Sequence, residues 1–336
     1  MNNSDLQLPI SNLQPPTSII LVNWNGAQHL PVCLNALRRQ TVRDFEIILV
    51  DNHSRDNSLE VLARDFPEVA VIALPDNRGF AGGSNVGLRA AHGDILILLN
   101  NDTEVEPRWL EEISATFERH PEAGSVASKM KLFDQRDTFH TTGDFYRVDG
   151  RPGNRGVWEV DRGQYDREES VFSACGGSAA YRRSMLDQIG LLDEDFFFSC
   201  EDVDLGWRAQ LAGWPCVYAP NAVVYHKLKA TGGGATASYY DGRNGLWLIA
   251  KNYPASLWQI YRGAILRQQW SLFSAALRAW RGEAARARIR GMLAGLSGLP
   301  KMLRKRRTVQ ALRRVDDQYL RSVLRSAAPV SRGRAD

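Results

Sequence analysis

The 336-residue sequence predicts an α/β fold with a mainly parallel central sheet, followed by a basic helical extension. Three observations lead to this prediction. Apolar runs of strand length alternate with segments of helical periodicity in the first part of the chain. These runs are continuously apolar, which is typical of strands that helices cover on both faces. The C-terminal part instead combines Arg, Ala and Leu in a helix-like pattern.

Strands and helices alternate in order from residue 18 to residue 102. The predicted strands are SIILVNWNG (18–26), DFEIILVDNHS (44–54), VAVIALPDN (69–77) and GDILILLNND (93–102). The predicted helices cover 27–40, 58–66 and 83–91. Asn, Asp or Gly residues follow each strand, and the carboxyl ends of parallel strands form the edge where such sheets bind ligands. Turn formation is the alternative explanation for these residues, since Asn and Asp bond to their own backbone.

The sequence after residue 104 is less regular. TTGDFYRVDGRPGNRGVWEV (141–160) predicts a long loop or hairpin, and we expect short strands around it. Residues 1–16 lack the basic start and apolar core of a signal peptide, so we expect a flexible leader. No apolar run approaches the roughly 18 residues of a membrane span. Four cysteines without CxxC spacing indicate reduced thiols in a cytoplasmic protein.

Charge is divided unevenly along the chain. From Arg262 onward 18 Lys and Arg stand against 4 Asp and Glu, a net charge of +14, and the total of +4 leaves −10 for the first 261 residues. An apolar stripe with the helical spacing of four and three consists of Leu266, Trp270, Phe273, Leu277 and Trp280. We therefore assign 262–336 to a basic amphipathic helical tail that binds an anionic membrane surface. The alternative is a stripe that packs on the rest of the chain or on a second subunit in a homo-oligomer.

The strand-end edge has no glycine loop of the kind that binds nucleotide phosphates. The first strand leads into NWNGAQHL, which matches neither G-x-G-x-x-G nor G-x-x-x-x-G-K-[ST]. GFAGGSNVG is Gly-rich, but it follows the third strand and contains no Lys. If phosphates bind here, a divalent cation held by oxygen and imidazole ligands would neutralise them.

From about Thr17 to Pro254 the sequence resembles the family 2 inverting glycosyltransferases, which have the GT-A fold. The resemblance rests on SIILVNWNG, VDNHSRDNS, NRGFAGGSNVGLRAAHGDILILLNNDTEVEP and FFFSCEDVDLGWRAQLAGW, in that order. It implies a single Rossmann-like GT-A domain over 17–261, with a nucleotide-binding half at 17–104 and an acceptor half at 105–261. It also implies Mg²⁺ or Mn²⁺ as cofactor.

The same resemblance implies roles for individual residues. Asp202 is similar in position to the family's general base, and Asp102 and His226 to its metal ligands. The family motif has two or three acidic residues where this chain has Asn100-Asn101-Asp102, so only Asp102 offers a carboxylate. Contacts with the donor nucleotide or its sugar are implied for Asn23, Asp51, Arg78, Asn101, Gly176 and Gly177. Glu201 and Arg243 are candidate phosphate or acceptor contacts.

Structural roles remain open for these residues on sequence grounds alone. Asp202 and Glu201 lie at the start of a predicted helix, where acidic side chains interact favourably with the positive end of the helix dipole. Asp102 could form a turn, and a single histidine such as His226 is often structural. Tight packing explains Gly176 and Gly177 equally well, and a solvated surface position explains Arg243.

The segment YYDGRNGLWLIAKNYP resembles the rhamnosyltransferase-like branch of the family. The resemblance implies dTDP-L-rhamnose as donor and a saccharide or lipid-linked saccharide as acceptor, in cell-surface polysaccharide synthesis at the inner face of the cell membrane. A sugar nucleotidyltransferase is one alternative, but it would need an Arg/Lys-bearing glycine loop after the first strand. A non-enzymatic nucleic-acid binder is the other. We expect no nucleic-acid partner, because no recognisable nucleic-acid module is present.

Overall fold

The computed structural model describes residues 16–227 and 233–327, so nearly all of the predicted leader lies outside the described residues. The strands are β1 Thr17–Asn23, β2 Glu46–Asp51, β3 Ala70–Ala73, β4 Ile95–Asn100, β5 Thr103–Val105, β6 Ser125–Leu132, β7 Phe139–Thr141, β8 Asp144–Tyr146, β9 Pro152–Asn154, β10 Glu169–Val171, β11 Ser178–Arg182 and β12 Cys216–His226. The helices are α1 Leu30–Arg38, α2 Ser58–Asp65, α3 Gly79–Ala90, α4 Trp109–Arg119, α5 Arg183–Ile189, α6 Glu201–Ala212, α7 Gly234–Asn252, α8 Ala255–Arg278, α9 Glu283–Ala311 and α10 Asp317–Val323. A 3₁₀ turn, Glu194–Phe196, precedes α6.

The central sheet confirms the predicted fold class. Its strand order is β10-β12-β6-β11-β4-β1-β2-β3, with β5 paired to β12 and β7 paired to β6. Strands β4, β1, β2 and β3 are mutually parallel, and β11 joins them to the acceptor half through antiparallel pairing. Asn23 pairs with Asp51, and Val22 with Asn100, so the ends of these strands lie level. The Gly/Arg-rich stretch contains the predicted hairpin, formed by β8 and β9.

Helices cover both faces of this sheet, which explains the continuously apolar strands. Ile19 and Leu21 of β1 pack into the cluster beneath α1 and α4, whereas Ile20 packs into the cluster beneath α3 and α6. Successive residues of β1 therefore meet helices on opposite faces of the sheet. The sequence shows no alternation of apolar and polar residues along these strands, because both faces of the sheet are buried.

Helix α3 begins at Gly79, four residues before the predicted start at 83. The glycine-rich segment belongs to the helix because α3 packs close to β1. A Cβ atom at Gly87 would lie 2.4 Å from Ile20 Cγ2. Glycine is therefore needed for contact between helix and strand, although its low helix propensity concealed the first turn of α3 in the sequence.

The C-terminal helices pack on the rest of the chain. A third apolar cluster joins Tyr146, Trp207 and Trp247 to C-terminal residues, namely Leu257, Ile265, Met302, Val309, Leu320 and Leu324. Helix α8 runs continuously from Ala255, so the boundary that we predicted after Tyr261 falls inside a helix. None of the described helices has both the length and the hydropathy needed to cross a membrane.

A buried ionic cluster ties α6 to the C-terminal helices. Lys251 Nζ lies 2.6 Å from Asp193 Oδ2 and 2.8 Å from a carboxylate oxygen of Asp204. Arg208 Nε donates to Asp204 at 3.0 Å, and Lys305 of α9 binds Asp193. Burial would raise the pKa of Asp204, but Lys251 and Arg208 outweigh it and hold this pKa below its usual value. Asp204 and Arg208, four residues apart on α6, therefore form one ion pair within a larger network.

We expect Lys251→Met to lower the free energy of unfolding by about 3–5 kcal/mol, because two buried carboxylates lose a partner. Urea denaturation followed by circular dichroism measures the change. Lys301→Met is the matched control, since Lys301 is half exposed and pairs with Asp195 at the surface. Lys301→Met should lower the free energy of unfolding by less than about 1 kcal/mol. An equal decrease for the two variants would contradict a central role for the cluster in stability.

Candidate functional site

Three predicted site residues form one hydrogen-bonded chain at the carboxyl edge of the sheet. The side-chain amide of Asn101 donates to Asn23 Oδ1 at 2.6 Å, and Asn23 donates to Asp51 Oδ1 at 3.0 Å. The backbone amide of Ser54 donates to the other oxygen of Asp51. All three predicted side chains are buried, so these bonds fix their orientation. Arg78 lies at the start of α3 with an exposed side chain, 3.4 Å from Asp76.

Asp102 and His226 lie side by side, just after β4 and at the end of β12. His226 Nε2 is 3.2 Å from Asp102 Oδ1, but this oxygen has no hydrogen-bond donor among the described residues. The side-chain amide of Asn100 lies 3.3 Å from His226 Nε2, and an amide nitrogen can only donate. Nε2 is then an acceptor, so two acceptor atoms, His226 Nε2 and Asp102 Oδ1, lie next to each other without a proton between them. A cation bound to both atoms would remove their repulsion. Imidazole and carboxylate are both suitable ligands for Mn²⁺, and carboxylate is also suitable for Mg²⁺.

His140, which the sequence analysis did not select, orients His226. The Nδ1 atoms of the two rings are 3.1 Å apart. If His226 accepts at Nε2, its proton is on Nδ1 and is donated to His140 Nδ1. Burial lowers the pKa of His140 to about 3, so His140 is neutral and can accept. Such an outer partner fixes the tautomer of a metal-binding histidine.

Asp202 lies in the first turn of α6 with its carboxylate half buried. Its oxygens accept from the backbone amides of Gly176 at 2.8 Å and Val203 at 2.7 Å. Burial raises the pKa of Asp202, and these amide bonds oppose the increase. A carboxylate with a raised pKa is a stronger base toward a hydroxyl group.

Two other acids share this region. Burial, and next the charge of Asp202, raises the pKa of Glu201 and of Asp144 well above the usual range. Asp144 accepts from Thr141 and Asn154, and Glu201 Oε2 has no donor among the described residues. Of Asp144, Glu201 and Asp202, only Asp202 accepts hydrogen bonds from the backbone amides of two other described residues. These bonds favour its ionised form. The sequence analysis missed Asp144, because an Asp in a Gly-rich stretch is indistinguishable from a turn residue.

Asp144, Cys175 and Asp202 bring ligand-type atoms within 4.8 Å of one another. This cluster suits a hard cation less well than Asp102 and His226 do. Burial, followed by the charges of Asp144 and Asp202, raises the pKa of the Cys175 thiol, which keeps it protonated. A thiol is a poor ligand for Mg²⁺ or Mn²⁺.

A strained turn leads into α6. Phe197, Ser199 and Cys200 have positive φ angles of 62°, 67° and 69°. The buried amide of Asn244 donates to the carbonyl oxygens of Phe196, Phe198 and Ser199, and Arg243 donates to those of Asp195 and Phe196. The Arg243 guanidinium is thus bound to backbone and does not line the cavity near Asp202. Asn244 was missed, since bonds to distant carbonyl groups leave no sequence pattern.

A cavity of about 540 Å³ lies beside both groups of residues. Asp202 and Glu201 line it, and so do Asn100 and His140, which contact His226. Gly176 and Gly177 lie between them: a Cβ atom at Gly176 would be 3.4 Å from Asp202, and one at Gly177 would be 3.7 Å from His226. A Cβ at Gly177 would also lie 2.9 Å from Met130, so packing contributes to the need for glycine.

Comparisons with known proteins agree with this geometry. The profile described as Glycosyl transferase family 2 matches residues 18–190. An N-acetylglucosaminyl-diphospho-decaprenol L-rhamnosyltransferase of Mycobacterium tuberculosis is 28% identical over 236 residues, which are 64% of this chain and 77% of that protein.

Two solved structures share the fold at low identity. One is the mannosyltransferase PcManGT from Pyrobaculum calidifontis in complex with GDP-Man and Mn²⁺, with a TM-score of 0.54 and 14% identity, over 93% of this chain and 84% of that one. The other is GalNAc-T7 with UDP, GalNAc and Mn²⁺, with a TM-score of 0.58 and 17% identity, over 72% of this chain. The match spans 48% of GalNAc-T7, about half its length.

Proposed function

Because the chain belongs to glycosyl transferase family 2 and has the GT-A fold, we propose that it is an inverting rhamnosyltransferase. Its donor in this proposal is dTDP-L-rhamnose and its acceptor is a hydroxyl group of a lipid-linked saccharide. The proposal draws on the M. tuberculosis relative, whose name specifies both rhamnosyl transfer and a lipid diphosphate. The observation that carries it is the position of Gly176 and Gly177 between Asp202 and His226.

The proposed reaction is a single displacement. Asp202 takes the proton of the acceptor hydroxyl group as its oxygen forms a bond to the anomeric carbon of the donor. The bond from that carbon to the diphosphate breaks on the opposite side, and the nucleoside diphosphate leaves with the electron pair. Asn23, Asp51 and Asn101 would bind and orient the nucleoside, with Arg78 near enough to the edge to approach its phosphates.

Asp102 and His226 would hold a divalent cation, with His140 fixing the tautomer of His226. When bound, Mg²⁺ or Mn²⁺ supplies positive charge that stabilises a departing diphosphate. The glycine pair leaves room for the donor sugar between this position and Asp202.

Asp202→Asn should lower kcat by about 10²–10⁴, because a general base is lost while the nucleotide site is untouched. Nucleoside diphosphate release in the presence of acceptor measures turnover, and calorimetry with dTDP should give an unchanged Kd. In the wild type, activity should fall as acid protonates Asp202. Since burial raises its pKa, the fall should occur at higher pH than for an ordinary aspartate. Asp187→Asn, the same change at an exposed carboxylate of α5, is the control. Near-normal turnover of folded Asp202→Asn would overturn the assignment.

Asp102→Asn and His226→Ala should each weaken Mn²⁺-dependent binding of dTDP by about tenfold or more, as expected when a metal ligand is lost. Calorimetry with dTDP, with and without Mn²⁺, separates this effect from loss of nucleoside contacts. His92→Ala changes an exposed histidine and should leave binding unchanged. If both site variants kept the Mn²⁺ dependence of the wild type, Asp102 and His226 would have structural roles.

We also propose that α8 attaches the protein to the cytoplasmic face of an anionic membrane. Leu266, Trp270, Leu277 and Trp280 of the predicted stripe are each more than half exposed, and Phe273 is partly buried, so most of the stripe does not pack on the residues that the structure describes. One flank of the stripe is buried through residues such as Ile265. Arg267 and Arg278 of α8, both exposed, lie beside the stripe on its other flank. Aromatic side chains flanked by arginines suit the headgroup region of a bilayer.

Trp270→Ser should reduce binding to phosphatidylglycerol-containing vesicles by about tenfold or more, because a large apolar side chain no longer enters the bilayer. Co-sedimentation measures binding, which should also decrease with salt. Trp158→Ser removes a tryptophan of similar exposure from a loop and is the matched control. Unchanged vesicle binding of Trp270→Ser would contradict the proposal, and conversion of a dimer to a monomer without lipid would identify the stripe as a subunit interface.

A further inference from the structure

The cavity next to Asp202 extends to the C-terminal helices. Its wall includes Gln269 and Leu272 of α8 and Arg288 and Met292 of α9. Helices α7 and α9 are in direct backbone contact, since a Cβ atom at Gly242 would lie 2.7 Å from the carbonyl oxygen of Arg288. The position of Arg288 at the cavity is therefore fixed by close helix packing.

On both helices, the residues that line the cavity are adjacent to exposed apolar residues. At about 100° per residue, Gln269 lies within about 60° of Leu266 and Phe273 in the stripe. On α9, Arg288 lies on the buried side of the helix, about 60–80° from the exposed Leu296 and Leu303, and Met292 of the cavity wall lies between them. The cavity wall and the exposed apolar face thus meet along one edge of each helix.

Two arginines of the cavity wall are available to bind an anion. Arg288 Nη2 is 3.6 Å from Asp241 Oδ2, too far for a hydrogen bond, while the other oxygen of Asp241 accepts from Ser199. Arg151, in the turn between β8 and β9, is exposed and forms no ion pair with any described carboxylate. Arg243, by contrast, donates through Nη2 to the carbonyl oxygens of Asp195 and Phe196 and through Nε to Asn244 Oδ1.

The cavity therefore has the proposed base Asp202 and two cationic side chains, Arg288 and Arg151, on its wall, and the exposed apolar stripe of α8 beside it. We infer that this rim is a subsite for the phosphate-linked lipid of the acceptor, in which Arg288 and Arg151 bind the phosphate and the stripe of α8 receives the first part of the lipid chain. The inference rests on the proposed function, in which the saccharide end of the acceptor meets Asp202. A bidentate guanidinium contact is well suited to phosphate oxygens.

Farnesyl diphosphate in non-ionic detergent is the probe, and the full-length protein is titrated while tryptophan fluorescence is recorded. Arg288→Gln should weaken binding by about tenfold or more, as expected for loss of a charge-assisted hydrogen bond. Arg290→Gln is the matched control, because this exposed arginine lies about 160° away from Arg288 on the same helix. Trp270→Ser should also weaken binding of farnesyl diphosphate, but it should leave binding of inorganic diphosphate unchanged.

The result that overturns the subsite is equal affinity of wild type and Arg288→Gln for farnesyl diphosphate. An equal loss of affinity in Arg290→Gln would also overturn it, since general surface charge would then be responsible. Transfer assays keep the two proposals apart. If sugar transfer occurs and Arg288→Gln binds the probe normally, the subsite alone fails; if the probe binds as expected and no nucleotide sugar is used, the proposed function alone fails.

Discussion

The position of the proposed base depends on the buried ionic cluster around Asp204. Asp204 is two residues after Asp202, so the two carboxylates point to nearly opposite sides of α6. Three donors, namely Arg208, Lys251 and Asn252, hold Asp204. Rotation of α6 would separate buried charges from their partners, which costs several kcal/mol. The direction of Asp202 is therefore fixed by contacts made on the side of the helix that faces away from the cavity.

Helix α7 supports the base from a second direction. The positive φ angles at Ser199 and Cys200 are unfavourable for residues with side chains, and such backbone persists only where neighbouring groups determine it. Asn244 and Arg243 provide this support through their bonds to the carbonyl oxygens of the turn. Because α7 also packs against α9, the C-terminal helices are part of the framework that positions the candidate site.

The sequence predicted the parts of the site that follow buried strands, because a run of apolar residues that ends in Asn or Asp marks both the strand and its edge. Asn23, Asp51, Asn101 and Asp102 belong to this group. His140 and Asp144 escaped prediction because their strands have three residues each, too short to show a period. The sequence correctly predicts the apolar stripe of α8. Helical spacing shows which face of a helix is apolar, but it does not show whether protein or lipid contacts that face. The buried arc that contains Ile265 lies directly beside the stripe, so the sequence alone leaves both a membrane-binding tail and packing on the rest of the chain open for this helix.

The proposed attachment of α8 to a membrane would address a physical difficulty of any enzyme that acts on a lipid-linked acceptor. Moving a buried methylene group into water costs about 0.8 kcal/mol, so a long lipid chain cannot leave the bilayer to reach a distant site. The cavity that binds the acceptor must instead be brought to the membrane surface. In this protein α8 contributes Gln269 and Leu272 to the cavity wall and Trp270 to the exposed stripe. Attachment of that stripe to a bilayer would therefore bring the cavity rim to the headgroups, and the acceptor saccharide could reach Asp202 while its lipid chain stays in the membrane.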